Sequence, residues 1–527
     1  MKFGQKAGTL ALSLIAAASL VACGGSSDAN SSNNDPVTVE FWVPYNDTSS
    51  SMTYVTNVAA EYTKEHSNVT INITSKGGYN NDYSGEAQAV SAALSGGNTP
   101  TMTVTYGTYV ATWRSASEDA VADVSAHGQA LEKDGDYNPQ YLNVEKEQYG
   151  GTKYYSLPYS KSGEVTQYNK ELFEAVGNAT PGQAAEADSN LNAPAYPAIK
   201  GATTKTAYDV SKLDTLDGMM EIARQIKADY PSIPWGERYA SDDSSTGYTK
   251  TAGYLKAIPV IWEDPTNLFI TMLKSKGIQD IDLTATGTNI TPFLNSSEAK
   301  AMCVQLKKWS NESLIATKDQ LPYRNSYGSR AYPSTYVGAQ NAAIMITSTA
   351  NGPYDAVAGF SMGFRMVPKW DSTSANKTVS QGPSIAFFNH TNKNELNAAL
   401  DFYDFLTNAT NSATLTKSTY YFPTRTSSLN DDTLKAGVEK AKTGVTYKDT
   451  IDAKKSCYLG EILNNNTENT NKGYYYMSPV NELSANIRNA CAAIIDKLFD
   501  DTAATTDDAI NTLVDAAFAE AKQTIYK

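Results

Sequence analysis

The sequence predicts an α/β fold in which a parallel sheet is flanked by helices. Two observations support this prediction. The chain has 527 residues, of which 41% are hydrophobic and 19% charged, so it can bury at least one large core. Strand and helix patterns then alternate in the order 37–43, 50–66, 69–74, 83–94 and 102–105.

The first three elements each have a local signal. Residues 37–43 and 69–74 are rich in β-branched and aromatic residues, which favour strands. Between them, residues 50–66 place apolar side chains at helical spacing. Together they predict a strand, a helix and a second strand.

The next two elements complete the pattern. The helix over 83–94 is expected to end at Gly96-Gly97, and the short run 102–105 is the third strand. In open parallel sheets, ligands bind beyond the carboxyl ends of the strands. The residues that follow these strands include Tyr45, Tyr79 and Tyr106.

The composition disfavours nucleic acid as a partner. Lys and Arg total 43 against 56 Asp and Glu, which gives a formal net charge of −13. A polyanion binder would need a basic surface. The chain has 34 Tyr against 14 Phe and 6 Trp, and rings with a polar edge suit the recognition of polar ligands.

The first residues resemble a bacterial lipoprotein signal peptide with its lipobox. Lys2 and Lys6 precede an apolar run over 9–22, which is shorter than the roughly 20 residues of a membrane-spanning helix. The resemblance implies removal of residues 1–22 and attachment of lipid, such as palmitate, to Cys23. Residues 23–36 would then be a flexible tether, anchoring an extracytoplasmic body to a membrane.

The remaining cysteines predict no metal site. Cys303, Cys457 and Cys491 cannot all pair internally, and either a Cys457–Cys491 bridge or separate buried thiols would fit. The three histidines are far apart, and the spacing patterns of zinc sites are absent from the sequence. We therefore expect neither metal nor cofactor.

Two other motifs are weak. Residues 359–363 fit GxSxG, but an apparent strand follows instead of a helix, and His390 is the only downstream histidine for a triad. An EF-hand-like spacing of acids begins at Asp134, but Pro139 stands where the calcium loop needs glycine. These patterns do not predict an enzyme or a calcium site.

A series of motifs in the chain resembles family-1 extracellular solute-binding proteins, which serve ABC importers, mostly for carbohydrates. Each motif is loose, and the resemblance rests on their number and order from about residue 37 to the end. The motifs lie at 39–42, 95–100, 157–159, 167–173, 338–346, 366–368, 382–384, 398–402 and 421–424.

Within that family, the chain is most similar to the glycerol-3-phosphate-binding branch, at 76–79, 101–113 and 472–488. Where the branch has an arginine suited to phosphate, this chain has Tyr475. A guanidinium offers phosphate a bidentate fork, whereas tyrosine offers one hydroxyl and a ring face. The difference favours a neutral sugar over a phosphoester.

The resemblance implies a two-lobed periplasmic-binding-protein fold, type II-like, with a hinge and an interlobe ligand cleft. Lobe one would comprise 37–160 and 363–410, and lobe two 161–362 and 411–527. Two segments exceed the usual family length and are expected to decorate lobe two or rim the cleft. They are 178–215 and 232–258.

The candidate ligand-binding residues combine flat rings with hydroxyls, as a sugar requires. Trp262 is the candidate for stacking on the sugar, because acids and an amide follow it; a core position is the alternative. The resemblance and the strand ends add Tyr45, Tyr79, Tyr106, Tyr159, Ser348, Thr349, Gly382 and Tyr475.

We therefore predict a lipid-anchored, monomeric substrate-binding protein that closes on a carbohydrate, an oligosaccharide or related polyol, and delivers it unchanged to the permease subunits of an ABC transporter. One alternative keeps this role with glycerol-3-phosphate or a glycerophosphodiester as ligand. The other is a secreted glycan-acting enzyme, which would release products over time.

Overall fold

The fold was analysed in a computed structural model of the chain. It describes residues 35–77, 83–174, 207–241, 252–321, 333–338, 341–357, 360–389, 392–446 and 448–527. The expected signal peptide, the lipidation site Cys23, nearly all of the tether and the candidate Tyr79 lie outside the described residues, as do parts of both long segments.

The described chain alternates strands and helices. The strands are β1 (Val37–Val43), β2 (Val69–Ser75), β3 (Met102–Thr105), β4 (Ser156–Pro158), β5 (Glu164–Asn169), β6 (Val260–Trp262), β7 (Ile315–Thr317), β8 (Ile344–Ser348), β9 (Met362–Arg365), β10 (Thr378–Val379), β11 (Ser384–Phe387) and β12 (Tyr475–Tyr476). The helices are α1 (Ser50–Glu65), α2 (Tyr83–Gly96), α3 (Gly107–Ala116), α4 (Ser125–Asp134), α5 (Pro139–Glu147), α6 (Lys170–Phe173), α7 (Leu216–Asp229), α8 (Pro265–Ser275), α9 (Ser297–Asn311), α10 (Pro333–Gly338), α11 (Gly352–Asp355), α12 (Lys393–Leu406), α13 (Ala409–Thr419), α14 (Asp432–Thr443), α15 (Ile451–Lys472), α16 (Ser484–Asp500) and α17 (Asp507–Ile525).

The predicted order of the first five elements is confirmed, with bounds that differ by at most two residues. The β1 strand buries alternate side chains, among them Val39, Phe41 and Val43. The α1 helix begins where the Ser49 hydroxyl accepts a hydrogen bond from the backbone N–H of Met52. These local signals account for the buried face of β1 and for the start of α1.

The first sheet has the strand order β2-β1-β3-β11-β4. The strands β1, β2 and β3 are parallel, and β11 runs antiparallel to β3 and β4. Helices α1 and α12 pack together, and α12 packs on β1. We call this sheet with its helices the first lobe.

The second sheet repeats the same plan, in the order β7-β6-β8-β5-β9. The strands β6, β7 and β8 are parallel, and β5 runs antiparallel to β8 and β9. We call this sheet with its helices, among them α8, α9, α16 and α17, the second lobe. The expected start of a lobe-one segment at residue 363 falls inside β9, which pairs in this second sheet.

Two segments that run between the lobes lie side by side. The first crossing segment, 159–163, joins β4 to β5, and the second, 380–383, joins β10 to β11. They pair through Ser162 and Gln381, and Lys161 also pairs with Phe422. Three stretches of chain therefore meet between the two sheets.

The three later cysteines are free and buried, so of the two alternatives for Cys457 and Cys491, the structure has separate thiols. Burial raises the pKa of the Cys457 thiol to about 11, well above neutral pH. None of the helices in the described part of the chain combines the length and apolar composition needed to cross a bilayer.

Candidate functional site

A cavity of about 610 Å³ lies between the two lobes and the crossing segments. Its volume is in the range of small-molecule binding sites. The first lobe contributes Tyr106, the second lobe contributes Asn267, Ser348 and Arg488, and the second crossing segment contributes Gly382. We call this space the interlobe cavity.

Five tyrosines cluster on the side of the first lobe. Tyr106 and Tyr421 line the interlobe cavity, and the rings of Tyr83 and Tyr106 lie 4.7 Å apart between centroids. Burial, together with the mutual interaction of the phenols, raises the pKa of Tyr45 and Tyr159. The predicted site residues Tyr45 and Tyr159 are buried behind the cavity and do not line it. Burial also raises the pKa of Tyr106 and Tyr421, so these two phenols stay neutral at physiological pH and offer a ligand hydroxyl groups, not charges.

The second lobe presents an oriented carboxylate, Glu263, directly after β6. Its Oε2 accepts hydrogen bonds from the hydroxyl of Thr347, from the backbone N–H of Ser348 at 3.1 Å and from Nδ2 of Asn351 at 2.9 Å. Its negative charge also raises the pKa of Tyr421, after burial itself. The carboxylate is thus held by the end of β8 and the turn after it, and it does not itself line the interlobe cavity.

Arg488 of α16 is the only lysine or arginine among the described residues that line the cavity. Its Nη2 donates to Oδ1 of Asn267 at 3.4 Å. Asn267 in turn donates from Nδ2 to Oε1 of Glu164 at 3.1 Å, and its backbone N–H donates to the N-cap Asp264 at 2.9 Å. The amide of Asn267 is therefore held on both sides.

Three further predicted site residues lie at or near the crossing segments. Gly382 has φ +86°, and a Cβ there would approach the carbonyl oxygen of Ser160 to 2.0 Å, so the two crossing segments require glycine at this contact. Thr349 is fully buried, and its Oγ1 accepts from the N–H of Gly163 at 3.3 Å. Ser348 lines the cavity, and its hydroxyl accepts from the N–H of Ala350 at 3.3 Å.

Trp262 does not occupy the position that stacking on a ligand requires. Its side chain is 0% exposed, and it packs in the core of the second lobe. The indole Nε1 donates to Oε1 of Glu164 at 3.2 Å. The predicted stacking role is therefore wrong for this conformation, and the alternative of a core tryptophan fits.

Tyr475 also lies apart from the interlobe cavity. It is 4% exposed, and its hydroxyl donates to Oδ1 of Asn466 at 2.8 Å. Its ring packs edge-on against Tyr141. The hydroxyl of Tyr475 thus bonds inside the protein and does not reach the cavity. The positive charge at the cavity comes instead from Arg488, which lies further along the chain.

The sequence reading missed several residues of the site. Tyr83 was not singled out, Tyr421 and Arg488 entered only as parts of the family motifs, and Asn267 only as the amide after Trp262. Asp264 before Pro265 is a helix-start signal that would place Asn267 in the first turn of α8. No comparable local signal marks Arg488, which reaches Asn267 from a helix more than 200 residues later.

Comparisons with known proteins agree with this architecture. A family model described as bacterial extracellular solute-binding protein matches residues 57–443. No curated protein matches the sequence significantly.

Among solved structures, UgpB from Mycobacterium tuberculosis in complex with glycerophosphocholine is similar at 14% identity and a TM-score of 0.56, covering 93% of this chain and 97% of UgpB. The GacH receptor of Streptomyces glaucescens GLA.O, solved unliganded and with acarbose, is 15% identical with a TM-score of 0.53, covering 93% and 99%. Maltose-bound T. maritima MalE3 is 12% identical with a TM-score of 0.56, covering 91% and 99%. These likenesses show a two-lobed α/β fold of the periplasmic binding proteins.

Proposed function

The chain belongs to the family of bacterial extracellular solute-binding proteins, and we propose that it is the substrate-binding protein of an ABC importer for a carbohydrate. The observation that carries the choice of ligand is the polarity of the interlobe cavity. Among the described residues, neutral hydroxyls and amides line it, with two carboxylates, Asp264 and Asp280, and one cation, Arg488. A neutral polyhydroxylated ligand suits this mixture better than an anion does.

Binding would be coupled to closure of the lobes. The first lobe contributes Tyr106 to the cavity and the second lobe contributes Asn267 and Arg488, so a ligand that contacts both sides stabilises the closed form. The closed protein would then dock on the permease subunits, acting as a monomer and releasing the sugar unchanged.

A glycerophosphodiester is the second candidate, and Arg488 favours it. A guanidinium can pair with a phosphate, and the similar UgpB structure contains glycerophosphocholine. The nearby acids weaken this case. The charge of Asp280 is compensated by Lys274, whose Nζ lies 2.6 Å from Oδ1 of Asp280. Asp264 and Glu263 form no ion pair with a lysine or arginine among the described residues, so their negative charges would repel a phosphate.

A thermal-shift panel tests the ligand class. With maltotriose at 100 times its dissociation constant, the fold should gain about 2.7 kcal/mol of stability, which raises the unfolding midpoint visibly. Glycerophosphocholine and glycerol-3-phosphate serve as the competing probes. A shift with the phosphoesters alone would overturn the carbohydrate proposal, and formation of new products from a glycan would indicate the enzyme instead.

We also propose that lipid on Cys23 anchors the protein outside the cytoplasm, because residues 1–23 resemble a lipoprotein signal. Replacing Cys23 with serine should release the protein into the soluble envelope or medium fraction, since the acyl chains supply the membrane affinity. Fractionation and mass spectrometry of the mature N-terminus check this. A Cys23→Ser protein that stays in the membrane fraction would contradict the anchor.

A further inference from the structure

The strongest unexplained feature is a buried carboxyl group one layer behind the interlobe cavity. Glu164 is the first residue of β5 and follows the first crossing segment directly. Its side chain is 1% exposed. Burying a carboxyl group costs free energy unless its environment compensates, so the question is what this group does for the site.

Glu164 organises two neighbours through one oxygen. Its Oε1 accepts from Nε1 of Trp262 at 3.2 Å and from Nδ2 of Asn267 at 3.1 Å. Because Nδ2 of Asn267 is used in this way, its Oδ1 is left to accept from Nη2 of Arg488 at 3.4 Å. A chain of hydrogen bonds therefore runs from the start of β5 to the cation of the cavity.

We infer that Glu164 is a positioning residue for ligand binding, which fixes the Asn267 amide and through it aims the Arg488 guanidinium into the interlobe cavity. The inference rests on the proposed function, because it assigns the ligand contacts to Asn267 and Arg488. It adds a role for a residue that does not itself line the cavity. The inference also gives the buried Trp262 a role, because its indole N–H donates to the same Glu164 oxygen as Asn267 and so helps to fix the carboxyl group.

The charges around Glu164 give this arrangement a pH signature. Asp264 and Glu263 face it from the end of β6, Tyr476 from β12, and Arg488 lies beyond Asn267. Burial, and then the charge of Asp264, raise the pKa of Glu164 to about 8, while the hydrogen bonds from Asn267 and Trp262 oppose this. The side chain is thus protonated at pH 7, and its ionisation above pH 8 adds a negative charge that competes with the ligand for Arg488.

Two substitutions separate positioning from packing. Glu164→Ala removes the acceptor, so Asn267 is no longer held; the affinity for maltotriose or glycerophosphocholine, whichever binds, should fall about tenfold, equivalent to about 1.4 kcal/mol. Glu164→Gln keeps an acceptor and mimics the protonated acid. It should recover most of the affinity at pH 7 and lose the weakening of binding that we expect of the wild-type protein between pH 7 and pH 9.

Asp355 provides a matched control. It is a buried acid of the same lobe whose pKa is raised to about 8 by burial and by the charge of Glu263. Its hydrogen-bond partner is Nε2 of Gln167 at 2.6 Å, and among the described residues it has no hydrogen bond to Asn267 or Arg488. Asp355→Asn should keep the wild-type pH profile of binding. If Asp355→Asn abolishes that profile, or if Glu164→Ala binds like the wild type, the inference is overturned.

A ligand-free readout keeps this test separate from the proposed function. The rate at which phenylglyoxal modifies Arg488, followed by peptide mass spectrometry of the purified protein, should rise about fivefold in Glu164→Ala, the factor for a net hydrogen bond of about 1 kcal/mol. Glu164→Gln and Asp355→Asn should react at the wild-type rate. If no probe binds, the proposed function fails, and the Arg488 rates still decide the positioning role; equal rates in all four proteins would refute it.

Discussion

Replacing Trp262 with alanine should lower the free energy of unfolding by about 3–5 kcal/mol, the range for deleting a large aromatic side chain from a core. The reason is its complete burial in the core of the second lobe. The substitution also takes away the indole donor to Glu164. Urea denaturation of the ligand-free protein, with the slope compared as well as the midpoint, measures the loss.

Two variants show whether packing or stacking is lost. Trp262→Phe keeps a buried ring but loses the N–H donor and part of the indole volume, so it should cost less than Trp262→Ala. Trp235 is half-buried at the surface of the same lobe, and Trp235→Ala should destabilise the protein less than Trp262→Ala. If Trp262→Ala keeps wild-type stability and weakens sugar binding, while Trp262→Phe, which also lacks the donor to Glu164, binds like the wild type, the tryptophan contacts the ligand and the core assignment is wrong.

The elements that sequence could predict are those with local signals. In β1, alternate side chains enter the core, and α1 has both helical spacing and the Ser49 cap. Each signal lies within a few residues of the element that it specifies. The first three strands and two helices were therefore predicted within two residues of their observed bounds.

Trp262 shows why the site was harder to predict. The strand β6 has three residues, all buried, so there is no alternation to tell which side chain faces the cavity. Its orientation depends on pairing with β7 and β8, which lie about 50 to 90 residues further along the chain. The same holds for Arg488, whose place beside Asn267 depends on how α16 packs against α8.

Replacing Lys161 with methionine should destabilise the fold by about 3–5 kcal/mol, the usual cost of leaving one charge of a buried pair without its partner. Lys161 and Glu145 are both 0% exposed, with Nζ and Oε2 3.2 Å apart. Nζ also donates to Oγ of Ser384 at 2.8 Å and to the carbonyl of Gly382 at 3.3 Å. The lysine thus joins α5 to both crossing segments.

An exposed ion pair supplies the baseline for this measurement. Lys308 and Asp507 lie 2.8 Å apart, with side chains that are 39% and 75% exposed. Solvent screens such a pair, so Lys308→Met should leave the unfolding midpoint in urea close to that of the wild type. A similar loss of stability in both variants would mean that the effect of Lys161→Met does not come from the burial of its ion pair.

A second substitution tests whether charge is the cause. In the wild type, Glu145→Gln leaves the ammonium of Lys161 without a carboxylate and should destabilise the protein. In the Lys161→Met background, the same change removes the uncompensated charge while Nε2 of Gln148 and the hydroxyls of Ser156 and Ser384 stay close to residue 145, so it should raise stability. If Glu145→Gln changes the free energy of unfolding in opposite directions in the two backgrounds, charge compensation between Lys161 and Glu145 is the cause. A change in the same direction in both backgrounds would assign the effect to packing alone.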